Sequence, residues 1–277
     1  MIKKLTTTAV ITILLSTFAA AKINWISEYN AALQSAKSAD QLLLVQITSE
    51  TCIYCKKMDK DVLTTEEMEK ICNNIKCAML DSILNPDGVQ LMRKFRIAGT
   101  PATLILDSNG GFIRLLNGYM PLDRFKKEIE TTISKAKEFN NVLLTLQKDP
   151  KNIEALSTAA TEYFERRLFD KAVSYSNDII KLDPENKKGK TDSAILLRAG
   201  ISLFQLNDMD SGLKDLSSIL EKWPSSQSAK PALYLKGLIL IHKGQTEEGK
   251  RNLQMFKEKY PEEKEMARRI DSVLSRL

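Results

Sequence analysis

Apolar and polar positions alternate between two periods in the first half of the chain. Residues 41–48 form a continuous apolar run of strand length, whereas residues 25–37 have helical spacing. Further segments continue the alternation: helices near 65–73 and 86–95, strands near 76–81, 102–107 and 112–116, and a last helix that Pro121 opens. Strands that alternate with helices and end in a hairpin and a helix predict an α/β domain, a sheet covered by helices, over residues 22–139.

The second half, residues 150–277, repeats one pattern three times. The copies cover residues 153–186, 193–226 and 230–263. Small residues recur at the eighth and twentieth positions of each copy: Ala160, Gly200 and Gly237, then Ala172, Gly212 and Gly249. Small side chains at these positions let two helices of a hairpin approach closely, so the pattern predicts an all-α stack of helical hairpins. Residues 262–277 are expected to form a capping helix.

The first 21 residues have the pattern of an export signal. Lys3 and Lys4 precede an apolar run that closes with three alanines, residues 19–21. The apolar stretch 9–21 has 13 residues, and a membrane-spanning helix needs about 20. We therefore expect a cleaved signal and a periplasmic or other extracytoplasmic location, where disulfides persist. The alternative is an uncleaved anchor, which would provide the only membrane contact expected.

Composition and charge narrow the function classes further. The chain has 277 residues with 43% hydrophobic and 27% charged content, which predicts a globular protein of two domains. Its 41 basic and 35 acidic residues leave a formal charge of +6. The only dense basic cluster, residues 187–190, is typical of a solvated loop. No nucleic-acid partner is therefore expected.

Two cysteines follow the first long strand. Cys52 and Cys55 are three residues apart at the start of a helix, which puts both sulfurs on one face and favours a thiolate there. Cys52 is expected to be the exposed nucleophile, and Cys55 to attack the mixed disulfide that Cys52 forms. The alternatives are a metal site or an inert disulfide. A four-thiolate zinc site needs a second close pair, and Cys72 and Cys77 lie across a helix-to-strand junction.

For Cys72 and Cys77 we expect either two buried thiols or a local structural disulfide. A second redox role for this pair is a further alternative. No metal ion and no cofactor is expected to take part in the chemistry.

At this point residues 25–137 resemble the thioredoxin superfamily. The Cys-x-x-Cys-Lys-x-Met arrangement is most similar to exported members such as the C-terminal domain of DsbD. Thr100 and Pro101, with Pro101 lying 46 residues beyond Cys55, match the second family element. The resemblance implies a cis proline that faces the cysteines, a Thr100 backbone that pairs with a substrate strand, and a substrate site that includes Ile53 and Tyr54.

The chain also departs from that family. Gln46 and Thr51 stand where thioredoxin usually has a buried Asp and a Trp, and Ile53-Tyr54 has neither the Pro of thioredoxin nor the His of strong oxidants. Glu50, two residues before Cys52, opposes thiolate formation. The redox direction stays open, with reduction of substrate disulfides favoured mildly.

The repeats resemble tetratricopeptide repeats. The resemblance implies a concave face, on which Leu197, Ile201, Tyr234 and Leu238 are expected to bind a partner. The alternative is that these side chains pack on the next helix or on the thioredoxin-like domain. His242, the only histidine, is expected to be exposed or to line the groove.

Together these features predict an exported thiol-disulfide oxidoreductase that acts on protein disulfides. It would need an upstream redox partner protein. The alternative is a protein-binding or assembly factor in which the repeats carry the function and the cysteine pair is secondary.

Overall fold

The computed structural model of the chain describes residues 23–277, so the predicted export signal lies outside the described residues. Within that range no helix combines the length and the apolar character needed to cross a membrane. The chain divides into two compact units. The first extends to Gly110 and includes Leu115–Glu128. The second comprises Ile129–Leu277 with Gly111–Arg114.

A four-stranded sheet with the order β2-β1-β3-β4 organises the first unit. The strands are β1 Leu43–Thr48, β2 Lys76–Asp81, β3 Ala102–Leu106 and β4 Phe112–Asn117. The helices around it are α1 Tyr29–Ala39, α2 Ile53–Met58, α3 Glu66–Cys72, α4 Pro86–Phe95 and the start of α5 Leu122–Lys148. β1 pairs in parallel with β2 and antiparallel with β3. The predicted α/β alternation is confirmed.

Strand β1 is the centre of this unit. Its residues from Leu43 to Ile47 are all buried, because a central strand with helices on both faces has no exposed side. Thr48, at its carboxyl end, pairs with Asp81 of β2. The segment that follows Thr48 therefore lies at one end of the sheet, where the cysteines begin the next helix.

Helix α1 begins later than the hydrophobic pattern predicts. Ile26 forms a bridge with Ala78 at the outer edge of β2, and its N–H donates to the Cys77 carbonyl at 3.1 Å. This extended pairing takes residues 25–28 out of the predicted helix, and α1 starts at Tyr29. The segment also covers an edge strand that would otherwise offer unpaired backbone groups.

The second unit is all-α. Its hairpins are α6 Ile153–Glu165 with α7 Phe169–Leu182, α8 Thr191–Phe204 with α9 Met209–Lys222, and α10 Ala229–His242 with α11 Thr246–Lys259. A final helix, α12 Lys264–Leu274, packs its Ile270 into the core beside Leu253 and Phe256. In the described residues this unit thus has three helical hairpins followed by one further helix.

The end of α5 belongs to the second unit. Phe139 and Leu146 are buried in one core with Leu156 and Tyr163 of the first hairpin. The Phe139 and Tyr163 rings meet edge to face at 5.2 Å. The sequence places the first domain through residue 139, but these contacts assign residues from Ile129 onward to the helical unit.

Small residues allow close helix packing at most of the predicted positions. A Cβ on Gly249 would lie 2.7 Å from the Gly237 carbonyl oxygen, and one on Gly212 would lie 2.5 Å from the Leu203 side chain. At Gly200, by contrast, a Cβ would meet nothing within 4 Å. The close-approach explanation is therefore wrong for Gly200, whose missing side chain opens onto free space.

Candidate active site

Cys52 lies at the junction between β1 and α2. It is the N-cap residue of α2, and its Sγ accepts a hydrogen bond from the Cys55 N–H at 3.1 Å. The two cysteines form a disulfide with a Cα–Cα distance of 5.2 Å. Cys52 is partly exposed, whereas Cys55 is buried with 4% exposure. An incoming thiol or disulfide can therefore reach Cys52 but not Cys55.

The Thr100–Pro101 peptide bond is cis, and it lies beside the disulfide. Cys52 Sγ is 3.5 Å from the Thr100 carbonyl oxygen. Pro101 is buried, and its own carbonyl accepts a hydrogen bond from the Gly118 N–H at 2.8 Å. The structure thus brings together Cys52, Cys55, Thr100 and Pro101 from segments far apart in the sequence.

The surroundings of the cysteines determine how easily each thiol ionises. After reduction, the Cys55 N–H would stabilise a thiolate on Cys52, because a hydrogen bond to the charged form favours that form. Gln46 is buried and accepts a hydrogen bond from the Thr103 hydroxyl at 2.7 Å. A neutral hydrogen-bonded pair therefore occupies the position at which thioredoxins usually carry a buried acid.

Cys55 also lines a groove that opens to solvent. Charged side chains share this groove: Glu50, Lys56, Asp59 and Asp81. Glu50 is exposed, so water screens its repulsion of a Cys52 thiolate. The groove therefore places charged side chains close to the buried Cys55.

Four exposed apolar side chains lie on the segments next to Cys52. Ile53 and Tyr54 of α2 are 80% and 63% exposed, and Ile83 and Leu84 after β2 are 65% and 71% exposed. The carboxylate of Asp81 accepts the N–H groups of Ile83 and Leu84, each at 2.7 Å. Hydrogen bonds from these backbone groups, that of Leu84 first, hold the pKa of Asp81 below its usual range.

Sequence reasoning missed Ile83 and Leu84. The available signal was an apolar pair followed by Asn85 and Pro86, a strand-to-helix turn at the carboxyl end of β2. Because β1 and β2 are parallel, that end of the sheet is also the end that carries Cys52.

A cluster of three polar side chains joins the helical segment that begins with α2 to the loop after β4. Its members are Lys57, Asp61 and Tyr119. The Tyr119 hydroxyl donates to Asp61 Oδ2 at 3.0 Å, and Lys57 Nζ lies 3.1 Å from the same oxygen. Lys57 is also 5.0 Å from the centre of the Tyr119 ring. Hydrogen bonds from Lys57 and Tyr119 lower the pKa of Asp61. Sequence reasoning did not single out this cluster.

Cys72 and Cys77 form the second disulfide, so of the two expectations for this pair the local disulfide is found. It joins the end of α3 to β2, where Cys77 lies opposite Leu44 of β1. Thr48 is four residues further along β1, which at about 3.3 Å per residue corresponds to roughly 13 Å. Cys52 is beyond Thr48, so we expect the two disulfides to be too far apart for direct exchange within one molecule.

The predicted partner-binding residues of the repeats have different environments. Ile201 is 0% exposed and lies in the core with Ala194 and Tyr163, so its side chain packs inside the stack. Leu197, Tyr234 and Leu238 are partly exposed, and the Tyr234 ring lies 5.7 Å from that of Phe256. Ile201 is therefore not available to a partner. His242 is exposed.

Family models match both halves of the chain. Residues 29–133 match a thioredoxin-like domain, and residues 194–226 and 231–263 match a tetratricopeptide repeat. The chain therefore carries a thioredoxin-like domain followed by tetratricopeptide repeats. The matched repeats are the second and third predicted copies, and α6 with α7 forms the corresponding hairpin of the first copy.

Individual relatives match about a third of the chain. The chain is 28% identical over 85 residues to the thiol:disulfide interchange protein DsbD of Pseudomonas fluorescens, covering 30% of this chain and 15% of that protein. It is 26% identical over 107 residues to anterior gradient protein 3 of Mus musculus, covering 36% of this chain and 64% of that protein. The chain thus spans less than two thirds of the length of either relative.

A solved structure of thioredoxin from Thermus thermophilus is also similar. It shares 27% sequence identity with this chain, with a TM-score of 0.35, over 38% of this chain and 83% of that one.

Proposed function

We propose that this protein is an exported thiol-disulfide oxidoreductase that reduces protein disulfides through Cys52 and Cys55. One observation carries the proposal. A partly exposed sulfur at the start of a helix lies between the Cys55 N–H and the Thr100 carbonyl, on a thioredoxin-like domain. This geometry presents one sulfur to a substrate and keeps the second shielded behind it.

The reaction is two thiol-disulfide exchanges. The thiolate of reduced Cys52 attacks one sulfur of a substrate disulfide, forms a mixed disulfide and releases the other substrate sulfur as a thiolate. The Cys55 thiol then loses its proton, attacks Cys52 Sγ and releases the second substrate thiolate. The substrate gains two electrons, and the protein is left with the Cys52–Cys55 disulfide. A dithiol protein upstream must reduce that disulfide again.

The proposed substrate is a polypeptide. The exposed side chains of Ile53, Tyr54, Ile83 and Leu84 offer apolar contacts to residues that flank a substrate cysteine. The Thr100 carbonyl, next to Cys52, is a backbone acceptor for an extended segment. A small, fully polar disulfide would use neither feature.

The charges near Cys52 support the reductive direction. A strong oxidant needs a Cys52 thiolate that is unusually stable. The two residues between the cysteines, Ile53 and Tyr54, carry no cationic group that would add to the stabilisation from the Cys55 N–H. The absence of such a group favours a protein that gives electrons to its substrate.

Export is supported by cysteine usage. All four cysteines of the chain form disulfides, and such bonds persist outside the reducing cytosol. The basic and apolar pattern of residues 1–21 is the sequence argument for the same location.

The tetratricopeptide repeats are proposed to bind a polypeptide, either the substrate or the redox partner. Leu197, Tyr234 and Leu238 are the partly exposed apolar residues that support this role. Tyr234 also packs on Phe256, so replacing it would change the stability of the third repeat as well as any binding.

Reduction of insulin by residues 22–277, with dithiothreitol as the reductant, tests the proposed activity. We expect turnover by the wild type and none by Cys52→Ser. The reduction potential of the Cys52/Cys55 pair tests the direction: a value near about −270 mV supports a reductase, and one near about −120 mV supports an oxidant. A folded wild type without turnover would favour the binding or assembly function of the repeats.

A further inference from the structure

A series of contacts, here called the circuit, leads from Cys52 through the Thr100–Pro101 segment and the loop after β4 back to the helix that carries Cys55. Cys52 Sγ lies 3.5 Å from the Thr100 carbonyl, and the Pro101 carbonyl accepts the Gly118 N–H at 2.8 Å. The next residue, Tyr119, donates its hydroxyl to Asp61 at 3.0 Å. Asp61 belongs to the helical segment that continues from α2, which carries Cys55. The circuit therefore returns to the cysteines.

Asp61 occupies an irregular part of that helix. A π-helical turn, Asp59–Leu63, directly follows α2. Such turns are uncommon and occur frequently at functional sites. Here the turn holds the residue that accepts the Tyr119 hydroxyl, 58 positions away in sequence. Two side-chain contacts join the cysteine helix to the segment that follows β4: the Tyr119–Asp61 hydrogen bond and the Lys57 ammonium group over the Tyr119 ring.

The hydrogen bond links the two segments, whereas the neighbouring ion pair joins Lys57 and Asp61 of the same helical segment. The Lys57 side chain is 52% exposed, and ion pairs of exposed side chains contribute little. The Tyr119 hydroxyl donates to an ionised carboxylate, which makes a stronger hydrogen bond than one between neutral groups. Burial, followed by the bond to Asp61, raises the pKa of Tyr119, so the phenol keeps its donor proton at neutral pH.

We infer that Tyr119 and Asp61 are positioning residues, whose hydrogen bond holds the Thr100–Pro101 segment at the correct distance from Cys52 for a polypeptide substrate. The inference rests on the proposed function, because it concerns how that substrate is aligned. Neither side chain takes part in the exchange of electrons. A substrate that pairs with the Thr100 backbone depends on the alignment, whereas a small disulfide that only meets Cys52 Sγ does not.

The test compares variants that separate the hydrogen bond from the ion pair. Tyr119→Phe removes only the hydroxyl. Asp61→Ala removes the acceptor, and Asp61→Asn keeps an acceptor oxygen but removes the charge that pairs with Lys57. Tyr29→Phe is the matched control, because the partly buried Tyr29 lies near Asp107, beyond the end of β3 opposite to Pro101.

Two measurements are made on each variant. The first is the kcat/KM for insulin and for bis(2-hydroxyethyl) disulfide. We expect Tyr119→Phe and Asp61→Ala to lower the insulin value about fivefold, as the loss of one partly exposed hydrogen bond to a charged group predicts. The value for the small disulfide should stay within a factor of about two. Combining the two substitutions should cause no further loss, since both break the same bond.

The second measurement is the exchange rate of the Gly118 amide proton. Its hydrogen bond to Pro101 depends on the same alignment, so exchange should be about fivefold faster in Tyr119→Phe and Asp61→Ala. Tyr29→Phe should behave as the wild type in both measurements, and Asp61→Asn, which keeps a weaker neutral hydrogen bond, should lose less than Asp61→Ala. This readout does not require activity, so it tests the alignment even if the wild type fails to reduce insulin.

Three results would overturn the inference. One is a Tyr119→Phe variant with wild-type kcat/KM for insulin and wild-type Gly118 exchange. Another is an equal loss for both disulfides, which would indicate general damage to the site. The third is an Asp61→Asn variant as impaired as Asp61→Ala, which would assign the effect to the carboxylate charge.

Discussion

The two units of this protein differ in how strongly function and stability depend on single residues. In the thioredoxin-like domain the proposed chemistry depends on a few atoms at one end of a sheet, chiefly the sulfur of Cys52 and the backbone around Thr100. In the repeat unit three hairpins each pack mainly on their neighbours, so no single atom dominates. A substitution in the first unit can therefore remove function with little change in stability, whereas one in the second changes stability first.

Among substitutions in the thioredoxin-like domain, we expect Cys55→Ser to have the largest effect on turnover. Without the second thiol, Cys52 can still attack a substrate disulfide but nothing resolves the product. Turnover should fall below detection, and a covalent complex through Cys52 should accumulate and be visible by non-reducing electrophoresis.

The same complex must be absent from the double variant Cys52→Ser/Cys55→Ser. Urea unfolding of all three proteins should be compared under reducing conditions. A Cys55→Ser protein that is inactive, folded and free of covalent complex would contradict the assigned order of attack.

The second disulfide tests whether the first unit also has residues that act only on stability. Replacing Cys72 and Cys77 with Ser should lower the free energy of unfolding by about 2 kcal/mol, the loss expected for a short loop. Insulin reduction should remain, because this pair is too far from Cys52 to exchange with it directly. Trp25 fluorescence in a Trp223→Phe background reports the unfolding of this unit alone.

Loss of turnover with an unchanged urea midpoint would contradict that prediction. It would give Cys72 and Cys77 a place in electron transfer. The activity of the first unit would then depend on a second pair of sulfur atoms.

Two glycines of the repeat unit, Gly249 and Gly200, test whether close helix packing determines the stability of that unit. In Gly249→Ala the new methyl group would lie 2.7 Å from the Gly237 carbonyl and 2.9 Å from the Ile241 nitrogen. Backbone atoms cannot move aside cheaply, so we expect a loss of about 1–2 kcal/mol and unchanged chemistry. Urea unfolding followed by Trp223 fluorescence in a Trp25→Phe background measures it.

Gly200→Ala is the matched control, since nothing lies within 4 Å of its Cβ position. Alanine favours a helix over glycine by up to about 1 kcal/mol, so this variant should be slightly more stable than the wild type. Equal destabilisation at both positions would show that close helix approach is not the reason for the glycines.

The smallest expected effect is a pH dependence of the repeat unit. Asp192 is buried at the start of α8. Burial raises its pKa, but hydrogen bonds, that of Ser228 first and that of Asn186 next, outweigh burial and hold the pKa below its usual range. Because the folded pKa is lowered, the stabilisation is complete above the ordinary carboxyl pKa and is lost as the pH falls through the folded value.

Urea midpoints of the repeat unit at pH 7 and pH 3 test this, with Asp192→Asn as the comparison. The wild type should lose more stability on acidification than the variant, by less than the Gly249 effect. The same pH dependence in both proteins would assign the loss to other carboxylates.

Much of the fold is readable from the sequence because its periods are clear. The β2 and α4 bounds agree with the predicted segments, since Asn85 and Pro86 mark the helix start by themselves. The start of α1 was wrong because it depends on Ile26 pairing with Ala78, a contact that local spacing does not contain.

The candidate site is likewise predictable from the sequence only in part. The Cys52–Cys55 spacing and the Thr100-Pro101 pair indicate the chemistry directly. Tyr119 and Asp61 meet across 58 positions of sequence, and neither residue type is unusual where it stands. Their pairing depends on the fold as a whole.

The neutral hydrogen-bonded pair of Gln46 and Thr103 bears on the lifetime of the mixed disulfide between Cys52 and a substrate protein. A buried carboxylate at that position would accept the proton of Cys55, whereas an amide hydrogen-bonded to a hydroxyl is not a base. In the proposed reaction we therefore expect the second exchange to be the slower one and the mixed disulfide to be the species that accumulates.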